Sequence, residues 1–261
     1  MIKGFCLSQN LFNTTSIVMA GLAILVFICL YFVNAGYGVF RTREWGWSIS
    51  NKVAWVLMEA PVFFVMILVW ASSGFSSHVP ELVLLLLFEM HYFQRSFIFP
   101  LMLRGKSRMP VAIMLMGMTF NMINGILQGG GLYWYPNPDF AEGAPYLLRW
   151  NAIAGILLFF TGFAVNLHSD SVIRHLRKPG DTRHYLPSRG LYRYVTSANY
   201  FGEIVEWTGF ALAAATPVAW VFPLWTAANL VPRSNAIHVR YRDEFGDEAV
   251  GDRKRIIPFL Y

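Results

Sequence analysis

Charge is what this sequence has least of. Only 14% of its 261 residues are Asp, Glu, Lys or Arg, while 56% are hydrophobic; soluble domains carry roughly a quarter charged residues. That balance argues against an ordinary soluble fold and suits an all-α polytopic membrane protein. Cysteine is equally scarce. Cys6 and Cys29 are the only two, and Cys29 falls within the first apolar run, so neither a disulfide framework nor a thiolate metal site is implied. The chain also lacks G-x-G-x-x-G after a strand, H-E-x-x-H and G-x-S-x-G, which leaves a Rossmann domain, a zinc protease helix and a nucleophile elbow without support. Its histidines are scattered, and no metal is expected. The net charge of +6 would suit nucleic acid only on a soluble basic face, which this chain has few stretches to build. No nucleic-acid partner is expected.

Long apolar runs are what is there instead. Stretches of about 18 to 22 residues are the length that crosses a bilayer, and seven candidate spans are found, with approximate limits 16–36, 53–71, 81–102, 111–128, 148–167, 200–215 and 218–232. The last is expected to continue helically towards Tyr241. The first lacks a basic leader beyond Lys3 and a small-residue cleavage site, so it reads as a span and not as a removed signal peptide. The expectation is one integral membrane domain over 1–261 in a lipid bilayer, all-α, with seven transmembrane helices.

Basic residues orient the bundle. Arg41, Arg43 and Lys52 follow the first span, Arg104, Lys106 and Arg108 the third, Arg174 to Arg193 the fifth, and Arg240 to Arg255 the seventh, whereas 72–80, 129–146 and 216–217 hold no Lys or Arg. The positive-inside rule then puts the N-terminus outside and the C-terminus in the cytoplasm. A bacterial inner membrane and an endoplasmic reticulum satisfy that rule alike.

With this orientation, polar residues from five helices fall in the cytoplasmic half: Glu59; Tyr92, Gln94 and Arg95; Asn166 and Asp170; Asn199, Glu203 and Glu206; Arg233, His238 and Tyr241. Asn166 and Asp170 are four apart, as are Asn199 and Glu203, so each pair shares a helix face. Polar groups at membrane depth are costly and mark a functional site by default. Interhelical bonding alone is the plainer reading of any one of them. An arginine-rich rim suits phosphate oxygens, and buried amides and carboxylates suit ribose hydroxyls and a carboxamide, which together favour a phosphorylated nucleotide cofactor. For chemistry, Glu59 and Tyr92 form the best proton-donating pair, with Glu89, three residues before Tyr92, a competing partner.

Several segments resemble the membrane-embedded steroid 5α-reductases: Glu59-Ala60-Pro61, the run from His91 to Phe97, Asn124 to Gly129, Asn166 to Asp170, Leu176 to Gly180, Ala198 to Trp207, and Ile257-Pro258-Phe259. They occur in order from Gly36 to Tyr261. The resemblance implies NADPH-dependent reduction of the C4=C5 double bond of a 3-oxo-4-ene steroid, of testosterone or progesterone type. Glu59 and Tyr92 would contact the ketone, so that hydride reaches the β-carbon. It implies cofactor contacts at Tyr37, Arg95, Arg108, Asn166, Asp170, Arg177, Asn199, Glu203, Arg233 and Tyr241. Where this family has a glutamine just before the catalytic glutamate, Met58 stands here; a Tyr-Arg pair appears as His184-Tyr185, with Arg183 a substitute; and an arginine of the fourth span is Met116. The C-terminal third also resembles sterol double-bond reductases and membrane methyltransferases that use S-adenosylmethionine, and a sterol sensor or transporter is the non-catalytic alternative. A monomer is expected, with oligomeric state open.

Overall fold

The structure, a computed structural model, describes residues 5–261 apart from 34, 37, 41, 43, 105–106, 177–180 and 182. Tyr37 and Arg177 therefore lie outside the described residues. Among those described, seven long helices dominate: α1 Gln9–Phe32, α2 Asn51–Ser72, α3 Val79–Met102, α4 Val111–Tyr133, α5 Trp150–His175, α6 Ala198–Ala214 and α7 Val221–Phe245. A one-turn helix, α8 (Asp247–Val250), follows. Strands β1 (Ser48–Ser50) and β2 (Arg108–Pro110) pair antiparallel in a small ribbon.

Every expected span is helical, and the differences lie at the ends. Helix α1 starts earlier than position 16 because Ser8 Oγ accepts the Leu11 amide at 3.4 Å, a side-chain cap on an orphan N–H. Helix α4 runs past Gln128 through Gly129-Gly130-Gly131, which weaken a helix in isolation. Packing explains their presence: a Cβ added to them would lie 2.9 Å from Val69, 2.6 Å from Phe12 and 2.4 Å from Val218 respectively. Helix α5 starts at Trp150, so Arg149 belongs to the connection before it, a basic residue at the end expected to have none. Its guanidinium is engaged by Asp139 and Glu142.

Helices α1 to α5 are long and apolar enough to cross a membrane. Helix α6 has only 17 residues, about 26 Å at 1.5 Å per residue, and the second half of α7 is rich in Arg, Asp and Glu. The outward faces carry Ile17, Leu25, Phe32, Leu86, Leu101 and Leu157, all well exposed. Exposed apolar side chains in such number need a lipid environment.

The most extensive helix pairing is α5 with α6, and glycines make it. A Cβ at Gly162 would meet the Glu206 amide nitrogen at 2.2 Å, and one at Gly209 the Phe159 amide nitrogen at 2.4 Å. Small residues let two backbones touch, which drives association in a bilayer where hydrophobic burial between helices does not. That contact lines up Asn166 and Asp170 on α5 beside Asn199 and Glu203 on α6. The connections rich in Lys and Arg gather at one end: β1 pairs with β2, and Val195 bridges to Lys254. At the other end Trp134 Nε1 donates to Ser72 Oγ at 2.9 Å, and Tyr146 OH to the Ala213 carbonyl at 2.7 Å.

Candidate active site

Helix α4 approaches α2 along positions 117, 121, 125 and 129, four apart and hence on one face. Glycine at 117, 125 and 129 permits it: a Cβ at Gly117 would sit 2.5 Å from Met58 Sδ, and one at Gly125 3.0 Å from Val62. Asn121, the polar member of that stripe, lands on Glu59. Its Nδ2 donates to Glu59 Oε2 at 2.9 Å and to the Met58 carbonyl at 2.9 Å, and its Oδ1 accepts from Tyr92 OH at 3.4 Å. Glu59 and Tyr92 are thus joined through one carboxamide, with all three side chains buried. Glu89 is not part of this chain, and neither of its carboxyl oxygens has a hydrogen-bond partner among the described residues.

The second group centres on Arg95. It lies in a π-helical turn of α3, Gln94–Ile98. Pro100, just beyond, lacks the amide that would bond the Ser96 carbonyl and crowds that carbonyl. Such widened turns recur at functional sites. Arg95 Nη1 donates to Asp170 Oδ2 at 3.3 Å, and Nη2 lies 3.9 Å from Glu203 Oε2. The guanidinium also sits 4.5 Å from the ring centroid of Trp55 and 4.4 Å from that of Phe99, a cation–π clamp in a dry setting. Asn166 Nδ2 donates to the Asn199 carbonyl at 3.0 Å and to Glu203 Oε2 at 3.5 Å. Asn199 Nδ2 donates to Asp170 Oδ1 at 3.1 Å and its Oδ1 accepts from Tyr192 OH at 3.2 Å. Five of the expected cofactor residues are therefore one network.

A buried pair lies beside Tyr92. His91 Nδ1 and Glu206 Oε1 are 2.7 Å apart, and Glu206 has no exposed surface. His91 packs on Trp207, whose ring also lies 4.1 Å from that of Phe222 in a tilted contact, and Tyr92 lies parallel to Phe222. Glu206 had no assigned role from sequence, because its partner lies 115 positions away on another helix.

The remaining candidates lie towards the basic end. Arg233 donates to Tyr200 OH at 3.0 Å and to the Ala35 carbonyl at 3.3 Å, with Phe40 under its guanidinium. Tyr200 follows Asn199 directly, so Arg233 borders the network. Tyr241, two turns further along α7, packs against Phe245. Arg108 is exposed on the β1–β2 ribbon and donates to the Ser48 carbonyl. Asp181 gathers Arg183 Nε at 3.2 Å and Tyr185 OH at 2.6 Å, and these donors hold its carboxyl below the usual carboxylate range. That brings an arginine and a tyrosine together on the rim, while His184 pairs with Glu244 at 2.9 Å.

Residues 107–261 match the family model described as 3-oxo-5-alpha-steroid 4-dehydrogenase. Over 257 residues the chain is 35% identical to a protein named Steroid 5-alpha-reductase DET2 from Gossypium hirsutum, covering 97% of this chain and 98% of that one. It is 33% identical over 258 residues to 3-oxo-5-alpha-steroid 4-dehydrogenase 1 of Bos taurus, covering 96% and 97%. The protein of that name from Homo sapiens is 35% identical over 238 residues, 87% of each chain.

Proposed function

The chain belongs to the 3-oxo-5-alpha-steroid 4-dehydrogenase family, and from that premise we propose that it reduces the C4=C5 double bond of 3-oxo-4-ene steroids to 5α-dihydro steroids with NADPH. One relative is named a steroid 5-alpha-reductase and another a 3-oxo-5-alpha-steroid 4-dehydrogenase, which supports the reading. The observation that carries the reading is the Glu59–Asn121–Tyr92 chain set beside the Arg95 network.

The donor set fits the cofactor. Arg95 suits a phosphate oxygen, and the amides of Asn166 and Asn199 with the carboxylates of Asp170 and Glu203 suit ribose hydroxyls and a carboxamide. The buried hydroxyls of Ser96, Ser169 and Ser197, neighbours in sequence of these residues, have no partner among the described residues. Arg233, with Arg108, Tyr241, Tyr37 and Arg177, would complete the phosphate end. When bound, NADPH supplies the hydride that the β-carbon, C5, receives.

The protein's part is to make that carbon electrophilic. Tyr92 holds its hydroxyl proton towards Asn121 Oδ1, and a steroid C3 oxygen arriving beside it receives that hydrogen bond instead. Glu59, held at Oε2 by the Asn121 amide, acts as the carboxylic acid and donates from Oε1 to the other side of the same oxygen. Charge developing on an enolate oxygen then meets donors already in place, which is where electrostatic catalysis gains most. The Trp207 and Phe222 rings exclude water from that oxygen. A proton added at C4 completes the reduction.

In the same reading all seven helices cross one bilayer, with the N-terminus outside and the site opening to the cytoplasm. The chain acts as one domain over 1–261 and as a monomer. The glycine contact that welds α6 to α5 supports α6 as a span despite its length. A titration tests the class of cofactor: NADPH should quench the protein's tryptophan fluorescence saturably and raise its melting temperature, while S-adenosylmethionine does neither. The reverse result would make the protein a methyltransferase, and no response to either would favour a sterol carrier or sensor.

A further inference from the structure

We propose that Asn121 is a positioning residue for the reduction, a carboxamide on α4 that locks Glu59 and Tyr92 into one donor pair for the steroid's C3 oxygen; this rests on the reductase reading above. A side-chain amide has two N–H donors and one carbonyl acceptor. Both Nδ2 hydrogens are used, on the Met58 carbonyl and on Glu59 Oε2, each at 2.9 Å, and Oδ1 takes the Tyr92 hydroxyl at 3.4 Å.

The Met58 carbonyl makes that arrangement one-way. A backbone carbonyl only accepts, so turning the amide over would set Oδ1 against two acceptors and leave Nδ2 facing a phenol that donates. Pro61, inside α2, lacks the amide that would bond the carbonyl of Leu57, the residue next to Met58. The amide therefore has one orientation, and through it the carboxyl of α2 and the phenol of α3 are held at fixed places. The short contacts fall on Glu59 and Met58. The long one falls on Tyr92, whose hydroxyl is the group that must leave Asn121 for the ketone.

Nothing on α2 can replace this amide. The side chain at 58 is a thioether packed on Gly117, so the polar contact that a glutamine there would offer is absent, and α4 supplies a carboxamide from the opposite side. The close approach that allows it comes from Gly117 and Gly125, one turn to either side of Asn121 on the same face. Asn121 is 5% exposed, so this is an internal arrangement and not surface chemistry.

The test compares the wild-type protein with Asn121→Ala and the isosteric Asn121→Asp, which keeps the acceptor and loses the donors. Two readouts are used: turnover with NADPH, and the absorption band of the enone of progesterone bound without NADPH. Donors at a ketone oxygen move that band to longer wavelength whether or not reduction follows. The expected result is a red-shifted band in the wild type that both variants largely lose. Their kcat should fall about ten- to a hundredfold, the scale of a slightly misplaced catalytic group, with NADPH affinity within about twofold of wild type. In a Tyr92→Phe background, Asn121→Ala should cost less than about threefold more, since residues acting as a unit are not additive.

Asn121 variants with the wild-type band and wild-type kcat would overturn the proposal, as would independent, multiplying losses in the cycle. So would loss of NADPH binding in both variants, which would make Asn121 a residue of the fold. A wild-type protein that neither shifts the band nor turns over would sink the reductase reading itself, a result distinct from all of these.

Discussion

Tyr92→Phe should lose most turnover while binding NADPH as the wild type does. Removing a single hydroxyl from a buried ring leaves the packing against Phe88, Trp207 and Phe222 in place, and its hydrogen bond to Asn121 is long, at 3.4 Å. Stability should change by no more than about 1 kcal/mol, the net worth of an ordinary hydrogen bond. Catalysis has far more to lose, because a donor aimed at a developing oxyanion accounts for about a hundred- to a thousandfold in kcat. Glu59→Gln should behave similarly, since the amide still fills the site and can accept from Asn121. Steady-state kinetics on detergent-purified protein, with NADPH affinity measured by fluorescence, separate the outcomes. Native kcat in Tyr92→Phe would make the tyrosine a packing residue. Native kcat in Glu59→Gln would move attention to Glu89, the carboxyl on α3 three residues before Tyr92.

Arg95→Met should damage both stability and cofactor binding. The guanidinium is the common partner of Asp170 and Glu203, and removing one member of a buried ionic group leaves the rest uncompensated, at a cost of about 3–5 kcal/mol. Methionine keeps much of the stem, so packing under Trp55 and Phe99 is largely spared and the loss reports charge. The proposed phosphate contact disappears with it. Losing a desolvated charge partner costs a ligand about 2–5 kcal/mol, or roughly thirtyfold or more in Kd. Arg95→Lys separates the two effects: an ammonium neutralises the carboxylates but does not present a planar fork, so stability should recover further than affinity. A melting curve and an NADPH titration on both variants check this, and wild-type affinity in Arg95→Met would remove Arg95 from the cofactor site.

Much of this arrangement was legible because the bilayer simplifies the code. Helices are the way a chain satisfies its backbone in hydrocarbon, so apolar runs announced the seven helices, of which α1 to α5 are long and apolar enough to cross a membrane. Charge depth announced the network of Arg95, Asn166, Asp170, Asn199 and Glu203, since so many polar groups at one level of a membrane are too costly to keep without partners or a ligand. Helix ends were legible only in part. The cap at Ser8 carries a weak signal, and Gly129 to Gly131 read as a break until the neighbours that require glycine there are known.

Asn121 and the His91–Glu206 pair escaped for a different reason. Asn121 sits among Phe120, Met122 and Ile123 with nothing local to distinguish it, and its partners lie 62 and 29 positions away. The signal existed in the four-residue spacing of Gly117, Asn121, Gly125 and Gly129, a small-residue face interrupted by one amide. Spacing says that such a face is packed, but not against which helix. Glu206 likewise shares a face with Glu203 and Asn199 without disclosing that α3 supplies its histidine.

Whether the chain is a 5α-reductase is decided by the product formed from progesterone and NADPH carrying deuterium at the transferable position. The expected product is a steroid with one deuterium at C5 and an unlabelled hydrogen newly added at C4, matching authentic 5α-dihydroprogesterone in chromatography and mass. Unchanged progesterone from a preparation shown to bind NADPH would refute the reductase reading, as would a 3-hydroxy product with the C4=C5 double bond intact.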